Sequence, residues 1–366
     1  GDLKALPVTT KVTLRDQPKQ ALAAPRRDGE CYLSIPTSGT TGMPVQILFS
    51  RYEHWFKSLI TIRTYLETGY RLTDRQAVVS RRREEEENRW WFQRWGIFRK
   101  HHVCVFDDLD KQLDELVNAR PQHIHGYASG LKCLAEALTE KAITEVRPRV
   151  VCSGAEVLDQ ATRQTIQKGF GAPVIDLYGT IEFGNIAWQC PTGAGYHINS
   201  DSVLVEFLVD GRPARPGEQA ELVCTSLFSY TMPFIRYSLG DAAAPLPETC
   251  SCGRDLPLMG PVDGRLADLI VLPGGRRISP TAFAATLERI RGIRQYQVTQ
   301  DSAAAIVVRI VPDAEFGPMT LTEVEKRCSR VVFHKARITV VVAESLPLEP
   351  SGKFRVIKSK VQQDAY

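Results

Sequence analysis

The chain has 366 residues, a formal net charge of +4, 43% hydrophobic residues and 24% charged residues. That balance gives a globular protein with core enough for two or three domains, and it excludes a disordered chain. The small charge gives no reason to expect nucleic acid or membrane as a partner, and no apolar run approaches the roughly 18–20 residues that span a bilayer.

The first residues, Gly1-Asp2-Leu3-Lys4, lack the charged-then-apolar pattern of a secretory signal. Nine scattered cysteines, an odd number, point to free thiols in a reducing, cytoplasmic setting rather than to a disulfide framework. A β-like run at Leu33-Ser34-Ile35 feeds the loop Thr37-Ser38-Gly39-Thr40-Thr41-Gly42. Gly39 and Gly42 permit tight turning, so backbone N–H groups can converge on an anion, and Thr37, Ser38, Thr40 and Thr41 add hydroxyls. Such a loop suits the β- and γ-phosphates of ATP, although no G-K-[S/T] closes it as in a Walker A loop. Read alone, a Ser/Thr/Gly run is more often a plain turn.

Arg51 to Gly69 carries Trp55, Phe56, Leu59, Ile60, Ile62, Tyr65 and Leu66 at helical spacing. The segment from Arg81 to Trp91 reads as a solvated helix with internal ion pairs, or as arginines facing a substrate pocket. Leu131, Leu134 and Leu138 mark a shorter helix. Strands at Arg149–Cys152 and Val174–Leu177 flank a helix at Leu158–Phe170, an α/β rhythm, and Val203–Leu208 and Ala220–Thr225 read as further strands. A boundary near Gly264-Arg265 separates residues 1–264 from residues 265–366. The latter follow the order strand (Leu269–Leu272), helix (Pro280–Ile290), strands (Arg294–Thr299, Ala305–Ile310), helix (Leu321–Val331), strand (Arg337–Val342). The expected fold is α/β: a large multi-sheet N-terminal domain plus a small, mobile α+β C-terminal domain.

Five ordered segments then carry a resemblance. Thr37–Gly42, Asp176-Leu177-Tyr178-Gly179-Thr180-Ile181-Glu182, Ile235-Arg236-Tyr237-Ser238-Leu239-Gly240-Asp241, Gly264-Arg265-Leu266-Ala267-Asp268 and Pro350-Ser351-Gly352-Lys353 resemble the motifs of the adenylate-forming superfamily. Leu6–Lys11, His125–Leu131 and Ile293–Val298 are similar to its phenylacetate-CoA ligase and CapK-like branch. The resemblance covers nearly the whole chain and implies that a short N-terminal segment usual in that family is absent.

The resemblance implies roles. Thr37, Ser38, Gly39, Thr40, Thr41 and Gly42 would cradle phosphates, and Glu182 would hold Mg²⁺. Tyr178 would stack on adenine, with Asp176 accepting from its amino group; Gly154, Ala155, Glu156, Gly179 and Thr180 complete the nucleotide site. Asp241 would hold the ribose hydroxyls, Arg265 the ribose and phosphates, and Lys353 the carboxylate and α-phosphate. Lys353, Glu182 and Arg265 are the catalytic set. The small domain would rotate at Ala267 or Asp268 after adenylation. Met43, Ser238, Leu239 and Ala267 depart from the usual pattern.

Cys190, His197, Cys250 and Cys252 form a second group. Three thiolates and an imidazole suit a closed tetrahedral Zn²⁺ site, though the Cys-x-Cys spacing also allows unrelated thiols; similar cysteines in the branch favour zinc. The other cysteines read as core fillers. Tyr127, Ser153, Phe183 and Gly184 would line the acid pocket, and Tyr127, Phe183 and Trp188 could enclose a flat ring or simply be core. The expected partners are a small-molecule carboxylic acid, probed first as an aromatic one, and CoA, with the chain a monomer or homodimer. Rival readings are an amine, carrier protein or sugar as acceptor, a small anion such as nitrite as co-substrate, or a non-catalytic ATP-binding protein.

Overall fold

The computed structural model describes residues 3–16, 32–37, 45–81, 95–247, 250–262, 264, 268–278 and 280–361. The chain forms two compact units, Gly1–Leu158 with Arg163–Val262, and Asp159–Thr162 with Asp263–Tyr366. The arginine- and glutamate-rich segment singled out in the sequence lies, from residue 82 onward, outside the described residues.

Up to residue 262 the elements are α1 (Lys11–Asp16), β1 (Leu33–Pro36), β2 (Gln46–Phe49), α2 (Arg51–Glu67), β3 (Arg75–Ser80), β4 (Arg99–Cys104), α3 (Leu109–Ala119), β5 (His123–Gly126), α4 (Ala128–Glu140), β6 (Val150–Gly154), α5 (Gln160–Phe170), β7 (Val174–Thr180), β8 (Gly184–Gln189), β9 (Tyr196–Ile198), β10 (Val203–Val209), β11 (Arg212–Pro213), β12 (Ala220–Ser226), β13 (Tyr237–Ala243) and β14 (Leu258–Met259). The principal sheet has the order β14-β9-β8-β7-β6-β5-β3-β4. From β4 to β7 its neighbours are parallel, and from β7 to β14 antiparallel. A parallel strand is covered on both faces, which is why β6 opens on Val150-Val151-Cys152 and is buried at every position. Leu116, Leu131, Leu134, Ile166 and Phe170 of the crossover helices pack on one face. Tyr65, Tyr70 and Trp188 cover the other.

Helix α2 starts where the sequence allows. Ser50 and Glu53 form a reciprocal capping box, and Glu53 also accepts from the backbone N–H groups of Tyr230 and Thr231 at 2.5 and 2.6 Å. That buried carboxylate ties α2 to the loop after β12. Helix α5 lies so close to α4 at Gly169 that a Cβ there would stand 2.6 Å from the Ala135 Cα. The Gly169→Ala protein should therefore be less stable by about 1–3 kcal/mol, seen as a lower denaturant midpoint at constant m. An unchanged midpoint would mean that the helices part freely.

The hairpin β1–β2 stands as its own two-stranded sheet, and β11-β10-β12-β13 form an antiparallel one. Arg236, left-handed at φ 46°, pairs with Glu206 at 3.0 Å and donates to the Lys4 and Leu6 carbonyls, lashing the first residues to that sheet.

Beyond residue 263 come β15 (Ile270–Val271), β16 (Arg277–Ile278), α6 (Pro280–Leu287), β17 (Ile293–Ser302), β18 (Ala305–Pro312), α7 (Pro318–Val331), β19 (Arg337–Val342) and β20 (Ile357–Ser359). The predicted alternation is present with two additions, β16 and β20. Each is so short that only its partner makes it a strand: β16 closes a hairpin with β15, and β20 runs parallel to β17 at the edge of the β19-β18-β17-β20 sheet. Phe283, Leu287, Val324 and Cys328 of the two helices pack on Val298, Val308 and Ile310 of that sheet.

Candidate active site

The hydroxyl-rich loop leaves β1 and returns into β2. Its base is fastened at Thr37, whose N–H donates to the Val45 carbonyl at 2.9 Å and whose Oγ1 accepts from the Val45 N–H at 3.0 Å. Ser38, Gly39, Thr40, Thr41 and Gly42 lie outside the described residues. Thr37 thus uses one hydroxyl lone pair to close the loop and keeps its hydroxyl proton to donate.

Strand β7 delivers the next group. Its bulge against β8 brings Gly179 so near Gly184 that a Cβ would meet the Gly184 carbonyl at 2.5 Å, so no larger residue fits there. Thr180 Oγ1 accepts from the Phe183 N–H at 3.3 Å and shapes the turn that carries Glu182, itself buried. Tyr178 donates its hydroxyl to Asp241 Oδ2 of β13 at 2.7 Å. An aromatic face and a carboxylate from two different sheets are therefore held side by side. One Asp241 oxygen already serves Tyr178, which leaves the remaining lone pairs of the carboxylate for any further donor.

Asp176 accepts from the Tyr196 hydroxyl through Oδ2 at 2.7 Å, while its Oδ1 is buried with no hydrogen-bond partner among the described residues. An orphaned buried acceptor is costly unless a ligand donor meets it. Burial raises this carboxyl to about 7, against the lowering pull of Tyr196 and Arg163. The folded value stands above the unfolded one, so the stability contributed by the neutral carboxyl is full below about pH 4 and is lost as pH rises through about 7. Asp176→Asn keeps an acceptor and removes the ionisation. Its melting temperature should exceed the parent's above neutrality, with the gap closing on acidification; a gap independent of pH would contradict this.

At the end of β6, Ala155 is left-handed at φ 66°, a strained conformation for a residue with a Cβ. Glu156 turns away from solvent: its two oxygens accept from the Ser129 N–H at 2.8 Å and the Ser129 hydroxyl at 3.0 Å. It caps the first turn of α4 and pins the loop around Tyr127 to the loop around Gly154. Ser153 Oγ is buried without a partner among the described residues.

The expected aromatic enclosure is not assembled. The Phe183 ring is buried against Phe234 and Tyr237, with centroids 5.5 and 6.3 Å away. Trp188 is fully buried against His197 at 4.8 Å, in a different cluster. Both close apolar cores. Tyr127, preceding α4, remains half-buried.

One residue escaped the sequence reading. Lys57 of α2 donates to the Ile181 carbonyl, one residue before Glu182, and its Nζ stands 3.9 Å over the Phe49 ring of β2. It links β2 to the turn bearing Glu182. Its face of α2 also carries Glu53, His54, Thr61 and Thr64, so the helical spacing set Lys57 apart in no way.

In the second unit, Lys353 follows a tight turn in which Gly352 is left-handed at φ 80° and the Lys353 carbonyl accepts from the Glu349 N–H at 2.8 Å. Asp268 accepts from Arg355 Nε at 3.1 Å. Arg265 and Ala267 lie outside the described residues.

Cys190, His197, Cys250 and Cys252 come together from the β8–β9 turn, β9 and the loop before β14, with all ligand atoms within 4.8 Å of one another. The Cys190 and Cys250 sulfurs are 3.7 Å apart, and Cys252 Sγ is 3.2 Å from His197 Nε2. Tetrahedral Zn²⁺ bonds of about 2.3 Å to sulfur imply sulfur separations of about 3.8 Å, so the donor set fits. None of these cysteines is in a disulfide. His197 Nδ1 is buried without a partner, which leaves Nε2 as the nitrogen facing the thiols.

A CapK C-terminal domain family matches residues 270–360. A phenylacetate-coenzyme A ligase of Thermus thermophilus is 27% identical over 311 residues, covering 81% of this chain and 68% of that protein. One of Escherichia coli is 34% identical over 288 residues, covering 75% of this chain and 64% of that protein. The chain thus spans about two thirds of the length of the curated relatives it matches. Among solved structures, a 2-hydroxyisobutyryl-CoA ligase in complex with 2-HIB-AMP shares the fold with a TM-score of 0.78 at 19% identity, over 96% of this chain and 79% of that one. No described helix is long and apolar enough to cross a membrane.

Proposed function

Because the chain belongs to the superfamily of ATP-dependent adenylate-forming ligases, in its phenylacetate-CoA ligase and CapK-like branch, we propose that it activates an aromatic carboxylic acid and transfers the acyl group to CoA. The carboxylate attacks the α-phosphorus of ATP and pyrophosphate leaves; the CoA thiol then attacks the acyl carbon and AMP leaves. The observation that carries this reading is the Tyr178–Asp241 hydrogen bond at 2.7 Å, which sets a base platform next to a ribose acceptor. Asp176 Oδ1, a buried acceptor without a partner, suits the adenine amino group. Lys353 and Arg265 answer the negative charge that builds at the α-phosphate. Mg²⁺ would be held by Glu182 and would neutralise the departing pyrophosphate. AMP release should require both the acid and CoA. Release at the same rate without CoA would move the reading to an amine, carrier-protein or sugar acceptor.

We further propose that Cys190, His197, Cys250 and Cys252 hold a structural Zn²⁺ that joins the β8–β9 turn to the loop before β14. Purified protein should contain about one zinc per chain, the Cys252→Ser protein far less, and chelation should lower the melting temperature. Metal-free protein with an unchanged melting temperature would remove the site.

A further inference from the structure

An edge strand presents backbone N–H and C=O groups with no partner, and proteins blunt such edges by shortness, charge or cover. Of the three larger sheets, the principal one ends on β14, two residues long, and on β4, which carries Arg99 and Lys100. The antiparallel one ends on β11, also two residues long, and on β13, where Thr9 donates to the Arg236 carbonyl and accepts from the Ser238 N–H. In the second unit the sheet ends on β20, three residues long with Lys358, and on β19. Only β19 is left unblunted. Arg337-Ile338-Thr339-Val340-Val341-Val342 has one charge, at its first position, and no proline, and it pairs with β18 without a bulge.

The bonds to β18 fix which groups remain. The Arg337 N–H donates to the Ala304 carbonyl at 2.8 Å, and the Ala343 N–H to the Ile310 carbonyl at 2.9 Å. Alternate residues of a parallel strand bond to the same neighbour, so Arg337, Thr339, Val341 and Ala343 face β18. Ile338, Val340 and Val342 therefore turn their N–H and C=O groups outward, where no strand meets them among the described residues. A groove of about 530 Å³ runs along this edge, lined by Leu321, Glu325 and Ser329 of α7 and by Ile338 and Val340. Val341 and Val342 are 41% and 46% exposed.

We infer that β19 is the contact of a homodimer, pairing antiparallel with β19 of a second copy and joining the two four-stranded sheets into one. The outward residues lie symmetrically about Val340. A two-fold axis there sets Val340 opposite Val340 of the other copy and Ile338 opposite Val342, each in a hydrogen-bonded position. Val342 of each copy then covers Ile338 beside the other's groove. The ends of the strand differ in charge, with Lys335 and Arg337 at the start and Glu344 beyond the end. Antiparallel pairing brings opposite charges together at both ends, whereas parallel pairing would set like against like. The contact is small for a specific interface, so the dimer should dissociate at about 1–100 µM.

Sedimentation velocity of the full chain across that range should show a monomer–dimer equilibrium. Val342→Lys puts a charge on the pairing edge at an exposed position and should weaken the dimer about tenfold or more. Val342→Pro deletes an outward N–H that β18 does not use and should act the same way. Arg337→Glu should weaken it severalfold, and adding Glu344→Lys should restore it. Thermal melts show whether each variant is folded. Amide exchange followed by NMR needs no variant: the Ile338, Val340 and Val342 amides should slow as concentration rises, while those of Thr339 and Val341 stay slow throughout. A monomer at every concentration, or a dimer that the lysine, the proline and the charge exchange all leave unchanged, overturns the inference. If the variants do not fold, the wild-type amides decide, and fast exchange of the outward three at every concentration overturns it.

Discussion

Replacing Lys353 by alanine is expected to slow acid-dependent adenylation by about 10²–10³-fold while leaving thioester formation from supplied acyl adenylate nearly unchanged. The two half-reactions separate because the negative charge that an ammonium answers builds at the α-phosphate only in the first. The local structure favours a clean substitution. Gly352, left-handed at φ 80°, and the Glu349–Lys353 backbone hydrogen bond make the turn, and neither needs the lysine side chain. The core contact of this segment is made by the next residue, Phe354, with Val311 and Leu346. A thermal melt run beside the kinetics keeps any loss of stability apart from a loss of chemistry. Arginine at this position keeps the charge but spreads it over a planar fork, so Lys353→Arg should recover only part of the loss. Stopped-flow or quench measurement of both half-reactions decides it: equal losses in the two would deny Lys353 its assignment to adenylation.

Asp241→Asn is expected to weaken ATP binding by about 10–100-fold, the worth of a charge-assisted hydrogen bond. Asparagine can still accept from the Tyr178 hydroxyl, now 2.7 Å from Oδ2, so the contact between β7 and β13 survives. What is lost is the anionic acceptor for ribose. Asp241→Ala removes both and leaves the Tyr178 hydroxyl without that acceptor, so it should in addition lower stability by about 1–3 kcal/mol. Calorimetric titration with ATP, alongside thermal melts, separates the effects. Wild-type ATP affinity in the asparagine protein would mean that Asp241 serves the sheet contact alone.

Local pattern made much of the fold legible. The helix over Arg51–Glu67 announced itself by apolar spacing, and the Ser50–Glu53 box fixed its start. The opening Val150-Val151-Cys152 of β6 read as an apolar run because a parallel strand has no wet face. What stayed hidden depends on partners distant in sequence. Residues 357–359 become a strand only by lying beside β17. Phe183 and Trp188 look identical to pocket aromatics in sequence, and only the packing against Phe234 and His197 assigns them to cores. Glu156 sits in a motif that suggests ligand contact, yet its carboxylate is used by Ser129, 27 residues earlier. Cys190 and Cys250 are 60 residues apart and meet because β8, β9 and β14 are neighbours in one sheet. The Tyr65–His125 pair joins a helix face to a strand face, and no spacing rule connects them.

All of these roles presuppose that ATP is cleaved between its α- and β-phosphates by an acid. Incubating the protein with ATP, Mg²⁺, labelled pyrophosphate and a panel of carboxylic acids is the most direct measurement. Label should enter ATP only when a suitable acid is present. Conversion of ATP to ADP and phosphate, or label entering ATP at the same rate with and without acid, would contradict adenylate formation at this site.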